Sequence, residues 1–382
     1  MPSLKDPQDQ ASLENQPQSP VRVGIVGLSA RRGWASTAHL PALRALPGFE
    51  VRALSASSAA SARAAAEKHG VPHAFGSAAE LAASDEVDLV VVTVKVPDHR
   101  EIIESALAAG KAVLSEWPLG VGLAEAEKLT ALAAERGVRT FTGLQARSAP
   151  VVRHLRDLIA DGYVGEVLST SMVASGRGWG AEVPEGAAYL LDRSTGANML
   201  TIPFGHTLDG LTAVLGEVEA VGAATATRRR ELTDPGTGTV VRPDVPDQVA
   251  FGGVLASGAV ASVHFRGGMS RGTNFHWEIN GTEGDLVVTG DHGHLQMGEY
   301  VIKGARGDDT ELAQLAVPER YFEPELAALR GTNAYNVGAA YAQLRRDLAD
   351  GTSVLPDFAH ATRHHRLLDR IERAAIQHRP AA

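Results

Sequence analysis

A short turn near the N-terminus carries the first chemical signal. In VRVGIVGLSARRG, Gly24, Gly27, Ser29 and Gly33 stand between a β-branched run and a helical stretch. Bare backbone in such a turn can approach a pyrophosphate, and the following helix N-terminus favours its charge. The match to G-x-G-x-x-G is imperfect: Ser29 occupies the second glycine place and Gly33 comes one residue late. A tight strand-to-helix turn without a ligand fits the same residues. Read as a cradle, the turn offers Gly27, Leu28, Ser29, Gly33 and Trp34 to a cofactor. The next apolar run ends in Leu54-Ser55-Ala56-Ser57-Ser58, with Arg63 further on. A carboxylate there would bond the ribose hydroxyls of NAD, whereas hydroxyls or arginine suit the ribose phosphate of NADP. Ser55, Ser57 and Arg63 are therefore expected contacts, and NADP is favoured over NAD.

Such a turn needs a sheet to hold it. VRVGIVGL, FEVRALSA and VDLVVVTV are strand-like runs, each followed by a helical stretch, the pattern of a parallel α/β sheet. The continuous VDLVVV run fits a central strand buried on both faces. After Pro150 the pattern becomes period-2 runs joined by glycine turns, an open and mostly antiparallel sheet. The 382 residues exceed one ordinary core, and 44% hydrophobic content is enough for two. The expected division is a disordered polar tail over 1–20, a Rossmann dinucleotide-binding domain over 21–145, and an α+β substrate and oligomerisation domain over 146–382.

The absence of cysteine removes thiolate chemistry, disulfides and thiol metal sites. A net charge of −9, spread through the chain, argues against nucleic acid and polybasic membrane contacts. No apolar run approaches the roughly 20 residues of a membrane span, and the first residues lack a secretory pattern. A cytoplasmic protein with a small-molecule ligand is expected.

Several segments taken together resemble one family. They are GIVGL; His99 before an ALAAGK helix end; Glu116-Trp117-Pro118 after VLS; Arg147 and Pro150 in QARSAP; His206 and Asp209 in GHTLDGLTAVLG; and the GTEGDL turn from Gly281. This is the pattern of the glucose-fructose oxidoreductase, inositol dehydrogenase and rhizopine-catabolism family. Within it, GLSARRGWA, the Trp117 site, QARSAP, the GRGWG loop around Trp179 and TIPFGHTLD are similar to the branch of the fungal galactose-pathway corepressor, a dinucleotide-binding regulator.

The resemblance implies an oxidoreductase that moves a hydride between nicotinamide and a sugar, cyclitol or related polyol. It also implies a homodimer or homotetramer through the exposed sheet face, and no metal. Family members carry lysine where Trp117 stands, and an aspartate four residues before the histidine, where this chain has Ile202. Positions i and i+4 share a helix face, so a proton relay is reduced to His206, whose ordinary pKa of about 6.5 suits an acid or base. Lys95, at the end of VVVTVK, is the candidate replacement cation, with Glu116 nearby; a surface lysine at a strand end is the plainer reading. Lys95, His99 and Glu116 are also expected at the cofactor. Trp117 is read as an aromatic lid or as a plug filling the lysine's space, with the lid preferred. Arg147 and Asp209 are expected as polar scaffolding or substrate contacts. Trp179, Tyr189 and Trp34 could offer a sugar platform, although core packing explains each one alone. The His364-His365 pair is read as a solvated or capping feature. Two functions stay open: the enzyme, or a catalytically inactive dinucleotide-binding regulator.

Overall fold

The computed structural model describes residues 19–31, 33–183 and 186–377. The expected tail over 1–20 lies outside the described residues except for its last two. Six parallel strands form the first sheet: β1 (Val21–Val26), β2 (Phe49–Ser55), β3 (His73–Phe75), β4 (Leu89–Val92), β5 (Ala112–Glu116) and β6 (Thr140–Gly143). They are linked by helices α1 (Leu40–Ala45), α2 (Ala59–His69), α3 (Ala78–Ala83), α4 (His99–Ala108) and α5 (Leu123–Arg136). The order is β3-β2-β1-β4-β5-β6. All four residues of β4 are fully buried, as a strand covered on both faces requires. Ser58 and Ser77 start α2 and α3 by accepting the backbone N–H groups of Ser61 and Glu80.

Strand order reverses between β1 and β4, so the C-terminal ends of these two strands part and open a crevice. Gly27 follows β1 with φ at 100°, and a Cβ there would lie 2.9 Å from Val94 Cγ1. Only glycine satisfies both the backbone angle and the close approach.

Helix α6 (Pro150–Ala160) leads into β7 (Val167–Gly176), and α7 (Gly205–Leu215) leads into β8 (Val218–Ala226). A two-stranded ribbon, β9 (Leu232–Thr233) with β10 (Val240–Val241), interrupts the second sheet. The sheet continues through β11 (Gln248–Leu255), β12 (Val260–Gly267), β13 (Phe275–Gly281), β14 (Gly284–Gly290), β15 (Tyr300–Arg306) and β16 (Ala313–Leu315). Its order is β16-β15-β14-β13-β7-β12-β11-β8, antiparallel throughout except between β7 and β12. Residues alternate in burial along β12, and its Phe265, with Phe251 of β11, packs edge-on against Phe204 ahead of α7. Helix α8 (Asn333–Asp350) packs back on the first domain beside α1, and α9 (Phe358–Gln377) lies between α5 of the first domain and β8 of the second sheet. Among the described residues no helix is long and apolar enough to cross a membrane.

One apolar core runs through both sheets, and Trp117 sits at their junction. Its indole is 4% exposed, and its Nε1 donates to the Thr201 carbonyl at 2.6 Å. The rings of His364 and His365 lie 4.9 and 4.4 Å from it. The expected lid is therefore a plug: the aromatic ring fills packed space and faces no opening. The expected surface pair, His364-His365, is buried as well, with each residue 4% exposed. Neighbours on a helix lie about 100° apart, so both can fall on one broad inner face when a second layer covers it. Charged Arg363 and Arg366 on either side disguised that face in the sequence.

Burial pushes His364 down to about 4 and His365 down to about 3, and His294 likewise to about 3. These rings are neutral in the folded protein and gain protons in the unfolded chain below about pH 6.5. Their contribution to stability is whole above that pH and is lost as pH falls toward about 4. Urea unfolding at pH 7, 6 and 5 should show stability falling by about 1.4 kcal/mol per pH unit for each ring below about 6.5, with a shallower fall in His365→Phe. Trp117→Ala should cost about 3–5 kcal/mol at pH 7, the range for truncating a buried aromatic.

Candidate functional site

A groove of about 960 Å³ opens at the parting of β1 and β4. Gly27, Ser29, Ser55, Ser57 and Lys95 line it, as does Val94. Its walls also include Arg31, Ser61, Ser77, Glu101 and Ser105, which the sequence reading missed. The helix-capping serine at Ser77 was the available signal, because a cap places its residue at the mouth of a strand-to-helix turn. Other expected contacts lie elsewhere. Leu28 is fully buried in the core, and Arg63 is exposed on α2 away from the groove walls. The Gly33 carbonyl accepts from Thr37 N at 3.1 Å and Ser36 Oγ at 3.0 Å, which anchors the π-helical turn Ala35–His39. Trp34 packs edge-on against His39, with ring centres 6.3 Å apart.

His99 is a positioning residue beneath the groove. It is 1% exposed, and its Nε2 donates to the Val94 carbonyl at 3.1 Å, fixing the strand end that forms the groove floor. Burial, against the pull of Glu116, lowers its pKa. Glu116 does not line the groove. Its Oε1 accepts from Gln145 Nε2 at 2.6 Å and lies 3.1 Å from His39 Nε2, while His39 Nδ1 meets the Tyr341 hydroxyl at 2.7 Å. These contacts tie β5 to α8.

The two candidate chemical groups are placed differently. Lys95 projects along the groove, and its Nζ lies 4.6 Å from the ring centre of Tyr189. It makes no ion pair among the described residues. The contact joins the first domain to the loop after β7 by a cation–π attraction. His206 is 2% exposed and packs at a tilt of 44° against His294, with ring centres 5.0 Å apart. Burial, reinforced by His294, pushes it well below the usual imidazole range, so it is a neutral ring in a closed setting. The sequence pairs His206 as acid or base with Lys95 as replacement cation; the structure puts Lys95 on the groove and His206 in the core.

Arg147 and Asp209 form scaffolding. Asp209 is fully buried; its Oδ2 accepts from Arg147 Nε at 2.7 Å and its Oδ1 from His360 Nε2 at 2.7 Å. Burial opposes its ionisation, but the Arg147 charge and the His360 bond outweigh this and hold the carboxyl below the usual carboxylate range.

A second cavity of about 980 Å³ lies over the end of β7. Trp179, Tyr300, Tyr335, His292, His294 and Asn336 give it aromatic walls with polar edges. Trp179 stands at φ 59°, rare for a side chain of its size, and its Nε1 donates to the Leu190 carbonyl at 3.1 Å. Across from it, a Cβ on Gly267 would come within 2.4 Å of the Trp179 carbonyl oxygen. A ring surface bordered by donors and acceptors suits a polyhydroxylated ligand.

Residues 21–144 match the family described as an oxidoreductase family with an NAD-binding Rossmann fold, and residues 150–290 match the C-terminal domain of Gal80p. The chain is 31% identical over 317 residues to the galactose/lactose metabolism regulatory protein GAL80 of Saccharomyces cerevisiae, spanning 77% of this chain and 73% of that one. A crystal structure of a super-repressor mutant of that yeast protein superposes with a TM-score of 0.84 at 27% identity, covering 94% of this chain and 96% of the other. The dehydrogenase aclE of Aspergillus oryzae is 35% identical over 282 residues, 71% of this chain and 77% of its own length. The 1,5-anhydro-D-fructose reductase of Ensifer adhaerens is 30% identical over 316 residues, 80% of this chain and 86% of its own. The chain thus belongs to the NAD-binding Rossmann-fold oxidoreductase family, among the members whose second domain is of the Gal80 type.

Proposed function

We propose that the chain is a cytoplasmic, homo-oligomeric oxidoreductase that binds NADP, or NAD, and acts on a sugar, cyclitol or related polyol. The residues fit a dinucleotide. A Cβ at Gly27 would fill the cradle, and Ser29, Ser55, Ser57, Ser61 and Arg31 supply hydroxyls and one guanidinium along the groove. Bound there, the nicotinamide supplies the hydride acceptor or donor. The observation that carries the reading is Lys95, a cation without a carboxylate partner among the described residues, held on the groove by Tyr189.

A hydroxyl that becomes a ketone gives up its proton, here to water at the open groove, and passes through an alkoxide, and a fixed positive charge near that oxygen lowers the barrier. Lys95 would supply this charge, with Tyr189 fixing its direction. The neutral His206 would hold α7 in place from the core, as a positioning residue. The aromatic cavity around Trp179 and Tyr300 would receive the polyol, whose rings of C–H groups stack on aromatic faces. Arg31 and the serines would hold the ribose phosphate of NADP.

The filled lysine site and the sealed His206 support a second reading, a dinucleotide-binding regulator without turnover. The two separate in one assay: absorbance of the reduced nicotinamide while a panel of sugars and cyclitols is mixed with the protein. Turnover is expected, and Lys95→Met should lower kcat by about 100-fold while leaving dinucleotide affinity within a few-fold. Saturable cofactor binding with no redox change across the panel would transfer the weight to the regulator. Binding titrations should also favour NADP over NAD, with Arg31→Ala weakening NADP by about tenfold and leaving NAD nearly unchanged.

A further inference from the structure

Four arginines line a cavity of about 240 Å³ beside the turn that follows β6. Arg147 comes from the 3-10 turn Gln145–Ser148, Arg153 and Arg156 from α6, and Arg346 from α8. Among the described residues no carboxylate lines the cavity, and Gln343 adds an amide to its wall. The neighbouring acids leave positive charge in excess. Glu323 is shared, lying 3.0 Å from Arg346 and 3.5 Å from Arg153. Asp157 takes Arg156 at 3.1 Å, and the buried Asp209 takes only the Nε of Arg147, at 2.7 Å.

The four guanidiniums meet three carboxylates, Glu323 engaging both Nη groups of Arg346 and Gln343 its Nε, so positive charge remains in excess and an anion in the space would offset it while taking the N–H groups that Arg147, Arg153 and Arg156 keep. The chain is acidic overall, with a net charge of −9, so the cluster is not the local expression of a basic surface. The cavity is far smaller than the dinucleotide groove and too narrow for a folded partner. We infer that this cavity is a binding site for a compact small-molecule polyanion, a phosphate ester or a polycarboxylate, held by Arg147, Arg153, Arg156 and Arg346.

The site has a direct mechanical link to the end of β5. Gln145 and Arg147 sit in the same turn, the first bonded to Glu116 at 2.6 Å and the second to Asp209 on α7 at 2.7 Å. An anion drawing on Arg147 therefore pulls on the turn that also holds the end of β5.

The test is calorimetric titration of the full chain with pyrophosphate and, separately, citrate, at constant ionic strength set with chloride. Arg156→Gln, the Arg156→Gln/Arg346→Gln pair and the groove variant Arg31→Ala are run alongside. Both altered arginines are substantially exposed, and Arg156 pairs only with its sequence neighbour, so the single variant remains folded and informative even where the pair does not. Saturable binding of one or both probes is expected, weakened about tenfold in Arg156→Gln and further in the pair, and unchanged in Arg31→Ala. Pyrophosphate alone would mark the phosphate class, and citrate alone the carboxylates. Absence of saturable binding in the parent chain, full retention in Arg156→Gln, or loss confined to Arg31→Ala would overturn the assignment.

Discussion

The contact on which the two halves of this molecule depend is an indole packed against two neutral imidazoles. Trp117 follows β5 of the first sheet, His364 and His365 belong to the last helix, and Thr201 precedes the helix that covers the second sheet. Three chain segments far apart in sequence therefore meet at one ring. A lysine in that position would need a charge partner, water or a substrate oxygen beside it. With tryptophan there the space closes, and the polar chemistry of the cleft must come from its remaining edges.

Those edges are unequal. The groove at the β1/β4 parting keeps hydroxyls, Arg31 and Lys95 in the open, whereas the histidine of α7 has been drawn into the core by His294 and the surrounding apolar layer. Asp209, one turn further along α7, has been committed to Arg147 and His360. Helix α7 is mainly a strut, buried along nearly its whole length. Its one carboxylate, Asp209, is neutralised from outside the helix by Arg147 and His360, and the lysine on the groove, Lys95, stands just beyond the end of β4.

Much of this was legible in the sequence where local pattern determines the outcome. VDLVVV became a strand with no exposed face; the glycine turn became the mouth of a groove; the alternating runs after Pro150 became an open antiparallel sheet. What was not legible depends on distant partners. The inner face of α9 reads as polar because arginines flank its two histidines, and only the arrival of Trp117 makes it a core surface. On α2, Ser61 and Ala64 line the groove while the exposed Arg63 between them does not, a difference set by the pitch of the helix. The arginine cavity was invisible because its four residues come from three elements separated by up to half the chain.

The pairing of Trp179 with Gly267 carries an evolutionary consequence. The tryptophan holds a backbone angle that most side chains avoid, and the glycine opposite has no room for even a methyl group. Neither position can drift freely while the other stays as it is, since a larger residue at 267 would drive the Trp179 loop away from β12. Descendants of this chain would be expected to keep the two together or to lose both, so the loop that borders the aromatic cavity is inherited as a unit.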